Sequence, residues 1–166
     1  MITPNQIPSR PTARIISHST INESSYIREE GGIVSYILTK NQEKFFLVNS
    51  LGIVVKKDKF GSVTNLLLDD GTSTIEVKLF EEKKEISEIK IGEALLIIAK
   101  IRQFNQTPYL APEIVKVISP LWLKVRSKLV KIDEKKAQVK NKKQADEILQ
   151  NLQDSKYRVL EIETKD

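Results

Sequence analysis

Five runs of residues rich in Val, Ile, Leu, Thr or Phe follow one another through the middle of the chain, at residues 44–56, 63–69, 72–80, 94–104 and 109–118. Such residues favour β-strands. Gly61, Gly71 and the segment 105–108 separate neighbouring runs where tight turns are needed. The pattern predicts five strands, with the second and third joined as one hairpin and the fourth and fifth as another.

The segment between the third and fourth runs, residues 81–92, carries Ile86 and Ile89 among charged neighbours and predicts one short helix that ends at Gly92. The predicted order is a strand, a β-hairpin, a helix and a second β-hairpin. This is the order of an oligonucleotide-binding (OB) barrel. The predicted fold class is therefore an all-β core, a five-stranded OB-fold barrel over residues 44–118 with an N-terminal extension and a C-terminal α-helix.

The flanks of this barrel are predicted from weaker patterns. Three prolines among polar residues predict a disordered leader over residues 1–12, and residues 13–43 form an N-terminal extension packing on the barrel, with one strand at 33–39. Residues 119–143 predict a basic amphipathic oligomerisation helix, and residues 144–166 a C-terminal tail. Within that tail, 144–152 favours further helical turns and 157–163 a short strand.

The charge is concentrated in the predicted C-terminal helix. The chain carries a net charge of +5, and residues 119–143 hold nine Lys or Arg against two acidic residues. A basic segment of this kind binds phosphates or acidic partners, or is the solvated face of a helix. Along the same segment, apolar residues recur every three or four positions, which is the heptad spacing of a helix that packs on other helices. These residues are Ile118, Leu121, Trp122, Val125, Leu129 and Ile132; packing on the chain's own barrel is the alternative.

Several kinds of chemistry lack the residues they need. The chain has no Cys and a single His, so thiolate catalysis, disulfides and His-rich metal sites are excluded, and we expect no enzyme, metal, cofactor or small-molecule substrate. His18 lies in a polar Ser-His-Ser-Thr stretch and is predicted to be a solvated loop or strand-edge residue without a role. No apolar stretch reaches the roughly 20 residues that span a bilayer. The first residues lack both a basic and an apolar segment, so we expect no secretion signal. The expected partners therefore include no membrane, and the expected location is cytoplasmic (nucleoid-associated).

Alternation along two strands predicts a binding face. Ile75, Val77 and Leu79 share the core side of the third strand, which leaves Lys78 and Phe80 on the opposite side. In the fourth strand the same reasoning turns Lys100, Arg102 and Phe104 outward, and Tyr109 begins the fifth strand. Aromatic rings that stack on bases, mixed with cations that neutralise phosphates, are typical of single-strand binding. The alternatives are that the rings plug the barrel ends and that the cations are merely solvated.

Four segments carry a more specific resemblance: Gly52-Ile-Val-Val, residues 68–77 with the Asp-Asp-Gly-Thr turn, Ile91-Gly92-Glu93, and Lys100-Ile-Arg-Gln-Phe104. Over about residues 13–135 the chain resembles the OB domain of the middle-sized subunit of replication protein A, especially its archaeal form. The resemblance implies single-stranded DNA binding within a three-subunit complex that serves replication, repair and recombination. It also implies that Phe80 and Phe104 stack on bases, and that two other subunits join through a bundle of C-terminal helices. Few residues follow the predicted C-terminal helix, so we expect the family's C-terminal winged-helix domain not to form from them.

The predicted nucleic-acid-binding residues are Phe80, Phe104, Lys78, Lys100, Arg102 and Tyr109. Two other functions fit the same pattern: an OB-fold accessory protein that binds RNA or tRNA, and an assembly subunit with little nucleic-acid contact.

Overall fold

The structure, a computed structural model, describes residues 11–29, 35–80 and 84–163. The strands are β1 (Arg14–Ile15), β2 (Ser25–Arg28), β3 (Ser35–Leu38), β4 (Lys44–Phe45), β5 (Leu47–Phe60), β6 (Val63–Asp69), β7 (Thr74–Leu79), β8 (Ala94–Phe104) and β9 (Thr107–Ile118). The helices are α1 (His18–Glu23), α2 (Lys84–Ser87) and α3 (Leu121–Glu163). Residues 1–10 of the predicted leader lie outside the described residues.

Strands β5 to β9 close into a barrel. Their order is β5-β6-β7-β9-β8, and β8 pairs back onto β5 over Leu47–Ile53, which leaves no open edge between the first and last strand. β6–β7 and β8–β9 are antiparallel hairpins, whereas β7 and β9 pair in parallel. This closure is that of an OB barrel, so the predicted fold class is confirmed.

The core lies inside this barrel and consists of the alternate residues of each strand. Leu66 and Leu68 of β6, Val77 of β7, Ile97 of β8 and Leu110 of β9 are buried. Each such side chain contributes roughly 1.5–3 kcal/mol through removal of apolar surface from water. The alternation therefore also fixes which residues of β7 and β8 face outward.

Some predicted bounds differ from the observed ones. The run 44–56 is two strands, and β5 continues past the predicted end at residue 56 to Phe60, so that only Gly61 and Ser62 form the connection. The short helix between β7 and β8 ends at Ser87, not at Gly92. Gly92 instead has φ +93° and lies in the turn that leads into β8. A glycine is needed there because of this positive φ, and the residue type alone did not distinguish a turn from a helix end.

The N-terminal extension adds a separate three-stranded sheet, β2-β3-β4, in addition to β1, which pairs in parallel with β5. Tyr26, Ile37 and Phe45 lie on one face of this sheet and pack with the barrel core. Arg28 and Ser35 are opposite each other in the register, and each lies two positions along its strand from Tyr26 or Ile37. Side chains two positions apart on a strand share a face, so Arg28 and Ser35 lie on this face as well.

The prediction for His18 is wrong, because this residue is fully buried and its side chain is enclosed by the barrel. It begins α1, and its ring contacts both β5 and the β6–β7 turn. Nδ1 lies 3.2 Å from the Ser73 carbonyl oxygen, and Nε2 lies 2.7 Å from Ser50 Oγ. A carbonyl can only accept, so Nδ1 carries the proton and Nε2 accepts from the Ser50 hydroxyl. We call His18, Ser50, Asp70 and Ser73 the latch.

The latch explains two residues of the sequence motifs. Asp70 accepts from the backbone N–H of His18 at 2.8 Å and from the turn at Thr72, so the Asp-Asp-Gly-Thr segment ties the extension to the barrel. A Cβ on Gly52 would lie 3.1 Å from His18 Cε1 and 3.0 Å from the Asp69 carbonyl oxygen, so only glycine allows this close approach.

Burial lowers the pKa of His18 despite the nearby Asp70 carboxylate. Ser50 and His18 are both fully buried, which leaves no path for a substrate to this Ser–His pair.

Two compact units divide the chain, one up to Val130 and the other from Lys131 onward. The described part of the second unit, up to Glu163, is the rest of α3. The predicted strand at 157–163 is wrong, since α3 continues to Glu163. A short apolar run does not by itself distinguish helix from strand, and here the helical neighbours decided. Within the described residues, no helix combines the length and apolar content needed to cross a bilayer.

Candidate nucleic-acid interface

The outer faces of β7, β9 and β8 form one continuous surface. Tyr109 of β9 is opposite Glu76 of β7 and Arg102 of β8 in the register, and Lys78 and Phe104 are the next outward residues of β7 and β8. The outward direction predicted for these side chains is thus observed. The sheet register therefore brings together four of the six predicted binding residues.

Lys78 lies between two aromatic rings. Its ammonium is 5.0 Å from the centroid of Phe104 and 4.8 Å from that of Tyr109. Such cation–π contacts are worth about 0.5–1 kcal/mol at exposed sites, which is enough to orient the side chains. We call Lys78, Phe104 and Tyr109 the stacking cluster. It presents the exposed ring of Phe104, the half-buried ring of Tyr109 and a positive charge on one outer face of the sheet.

The turn after Phe104 fixes the position of its ring. β8 and β9 are joined by only Asn105 and Gln106, which have φ values of 46° and 65°. Two successive residues with positive φ are the geometry of a type I′ hairpin turn. Asn105 suits the first position of such a turn, whereas Gln106 is not a glycine and carries a backbone cost of about 1 kcal/mol or more. The short turn pairs Phe104 directly with Thr107.

Phe80 follows β7 directly and is 58% exposed, while Phe104 is 62% exposed. These exposures contradict the alternative that the two rings plug the barrel. Phe80 lines a groove of about 620 Å³ together with Ile86 and the 111–115 segment of β9. Glu85, Glu113 and Lys78 also line this groove. The two carboxylates outnumber the one cation, so the groove disfavours phosphates and suits an uncharged base.

The two remaining predicted cations differ in their surroundings. Lys100 Nζ lies 3.1 Å from a Glu113 carboxylate oxygen. An exposed ion pair of this kind contributes little free energy, but it partly neutralises the positive charge of Lys100. Arg102 donates a hydrogen bond to the Ser35 hydroxyl of the extension. No described carboxylate forms an ion pair with Arg102. Arg102 is therefore the more available of the two.

Phe60 is an exposed aromatic that lies outside the five runs predicted as strands. It ends β5 and is 67% exposed. Its side chain lies on the same face as that of Asp58, which is the register partner of Asn65, and Asn65 is in turn the register partner of Lys78. An aromatic that closes the basic run 56–60 was the signal available in the sequence. Lys57 of the same run is committed elsewhere, because its ammonium donates to the Ser87 and Ile89 carbonyls, each at 2.8 Å.

The predicted interface residues of α3 are partly covered by the chain's own barrel. Arg126 donates to the backbone oxygen of Asn49 at 3.0 Å and to its side-chain oxygen at 2.8 Å, which fixes the start of α3 to β5. Burial lowers the pKa of Arg126. Leu51 and Leu96 of the barrel line an apolar groove of about 210 Å³ with Ile118, the last residue of β9, and with the helix residues Trp122, Val125 and Leu129.

The predicted interface residues that lie on α3 also remain exposed to solvent. Leu121 is 69% and Trp122 is 56% exposed, and Val125, Leu129 and Ile132 are between 42% and 48% exposed. A helix that used this stripe only to pack on its own barrel would bury it. We call the five residues together with Ile118 the helix seam; it combines contact with the barrel and a large exposed apolar surface.

Comparisons with protein-family models and with curated proteins give no match. Among solved structures, a chain of the S. pombe Stn1–Ten1 complex superimposes with a TM-score of 0.66 at 12% identity, covering 80% of this chain and 98% of the other. A chain of a replication protein A heterotrimer bound to single-stranded DNA gives a TM-score of 0.64 at 12% identity, over 76% and 98%. A chain of yeast replication protein A bound to single-stranded DNA gives 0.57 at 20% identity, over 72% and 88%. At these identities the likeness concerns the fold: the chain is an OB-fold protein.

Proposed function

We propose that this chain is a single-stranded DNA-binding subunit of a replication protein A-like assembly that protects single strands in replication, repair and recombination. The observation that carries the proposal is the stacking cluster, in which one ammonium lies about 5 Å from each of two aromatic rings on an exposed sheet face.

The cluster suits a single strand for physical reasons. Phe104 and Tyr109 offer π-faces for successive bases, and stacking of this kind tolerates any base. Lys78 and Arg102 lie beside the rings, where they neutralise the phosphates that a stacked strand brings with it. Phe80 extends the surface toward the groove beside β9. Binding of this kind needs neither a catalytic group nor a cofactor.

The barrel itself is close to neutral, with eleven basic and ten acidic residues between positions 44 and 118. Since the electrostatic term supplies much of non-specific affinity, a neutral barrel predicts modest affinity for this chain alone. This favours a subunit that assists a stronger binder. Two of the structural neighbours are replication protein A chains bound to single-stranded DNA, which supports DNA rather than RNA as the ligand.

The direct test is the affinity of the full chain for an oligothymidylate of about 16 nucleotides, the upper end of the site size of one OB fold. We expect Phe104→Ala to weaken binding by about 1–3 kcal/mol without lowering the melting temperature. Ile91→Ala is the matched control, because Ile91 is 64% exposed but precedes the opposite end of β8. Equal binding by Phe104→Ala and the wild type would contradict the proposal, and preference for a structured RNA competitor would favour the RNA-binding alternative.

We further propose that the exposed part of the helix seam packs against helices of partner subunits. The support is the heptad spacing together with exposures of 42% or more along the five helix residues of the seam. Burial of these side chains by a partner would remove apolar surface that single soluble domains rarely expose as one stripe.

Leu121→Asp with Ile132→Asp tests this assembly role, because neither residue lines the groove on the barrel. The double variant should stay folded but lose co-purification with partner subunits, since charges would enter an apolar interface. Ser127→Asp is the control: it adds a carboxylate to the same helix about half a turn away from the seam. A wild-type chain that remains monomeric and retains no partner would contradict the assembly role.

A further inference from the structure

We infer that the N-terminal extension is part of the binding surface, with Arg28 of β2 contacting a backbone phosphate next to the one held by Arg102. The inference rests on the proposed function, since it concerns the path of the same single strand.

The sheet register determines where Arg28 lies. Arg28 and Ser35 are directly opposite each other on β2 and β3, so their side chains leave the same face of the small sheet. That face is directed at the barrel. Tyr26 and Ile37 lie on the same face, two positions away along each strand, and they pack with the core. Ser35 confirms the direction, since its hydroxyl accepts a hydrogen bond from Arg102 of β8. Arg28 is therefore on the barrel-facing side, at the margin near Arg102.

Among the described residues, this cation has no ion-pair partner. Arg28 is exposed, and no described carboxylate forms an ion pair with it or with Arg102. Other cations of the extension are paired: Arg14 with Glu43 at 4.0 Å, and Lys40 with Glu23 at 2.5 Å. Arg28 is the register partner of Ser35, and Arg102 donates to Ser35, so two positive charges belong to the same margin of the small sheet. Like charges repel, and an anion at this margin would relieve the repulsion.

The chemistry of the two groups indicates a phosphate. Guanidinium groups present a planar set of donors that match phosphate oxygens. Arg102 is opposite Tyr109 of the stacking cluster, so a strand whose bases stack on the rings passes its backbone along this edge of β8. The extension thus continues the path of the strand beyond the barrel.

The test measures the affinity of the full chain for the same oligothymidylate across a range of salt concentrations. We expect Arg28→Ala to weaken binding about three- to tenfold at low salt and to reduce the log–log salt slope by about 0.7, the value for one phosphate contact on a single strand. Arg28→Lys should keep the slope. Lys40→Ala is the matched control, since it removes the same charge from the same extension, on the turn at the opposite end of β3.

The outcomes separate the two proposals. If Phe104→Ala weakens binding but Arg28→Ala changes neither affinity nor slope beyond Lys40→Ala, the role of Arg28 is wrong and the stacking cluster stands. If the wild type does not bind the oligothymidylate, the proposed function fails and this inference fails with it. A larger loss in Arg28→Ala than in Lys40→Ala, with an unchanged melting temperature, supports the phosphate contact.

Discussion

The latch and the stacking cluster are each built around one basic side chain, yet they satisfy it in opposite ways. In the latch, both ring nitrogens of His18 have hydrogen-bond partners inside a site without solvent. In the stacking cluster, Lys78 has two rings and a Glu76 carboxylate 3.8 Å away, and the Phe104 ring is exposed to solvent while Tyr109 is half-buried. A group that its own chain satisfies completely serves the fold. A group that is oriented but left accessible is free to bind a ligand.

The largest expected effect separates these two roles. His18→Ala should lower the free energy of unfolding by about 3 kcal/mol, because it leaves a cavity and an unsatisfied Ser50 hydroxyl. Urea unfolding measures this loss, and DNA affinity per folded molecule should not change. Glu23→Gln is the control at the end of the same helix, where only an exposed ion pair is lost and the change should stay below about 0.5 kcal/mol. A fully stable His18→Ala variant would refute the structural role of the latch.

Acid should weaken the latch by a smaller amount, since the imidazole stays in place. The pKa of buried His18 lies below its ordinary value of 6.5, so the folded chain keeps the ring neutral while the unfolded chain takes up a proton. Stability is therefore complete above about pH 6.5 and falls as the pH decreases through that value toward the lowered pKa. Asp69 and Asp70 face the ring and oppose the shift, and the pKa of Asp70 is itself below its ordinary value, so its contribution is lost only in more acidic solution.

Unfolding followed between about pH 7 and pH 5 measures this effect. A His18→Gln variant should be less stable at every pH but should lose the slope in this range. An equal slope in His18→Gln and the wild type would assign the acid sensitivity to other groups.

The smallest expected effect distinguishes cations within the binding face. Lys100→Ala should change DNA affinity by less than about twofold, because its charge is already paired with Glu113. Arg102→Ala should reduce the salt slope by about 0.7, because this guanidinium has no described carboxylate partner. A larger loss for Lys100 than for Arg102 would mean that the strand crosses the Glu113 side of the barrel.

Much of the fold followed from local patterns. Alternation in β7 and β8 gave the correct outward faces for Lys78, Arg102 and Phe104. The β-bulge between β8 and β9 has its extra residue, Glu113, in β9, so the alternation along β8 itself is not interrupted. In β5 the irregular pairing near Val55 shifts the register, and a pattern extended through it would assign the wrong face. Position in sequence also gave no sign of the burial of His18, since its neighbours in the chain are polar and its partners are 32 to 55 residues away.

The sequence by itself determined the number and order of the barrel strands, the residues that face outward and the apolar repeat of α3, because these depend on periods of two and about 3.5 residues along the chain. Only the tertiary structure decided which of the outward groups meet. It placed Lys78 between Phe104 and Tyr109, paired Lys100 with Glu113, and set Ser35 against Arg102. Such contacts join separate strands, and their distances are fixed by barrel closure and register rather than by any local preference.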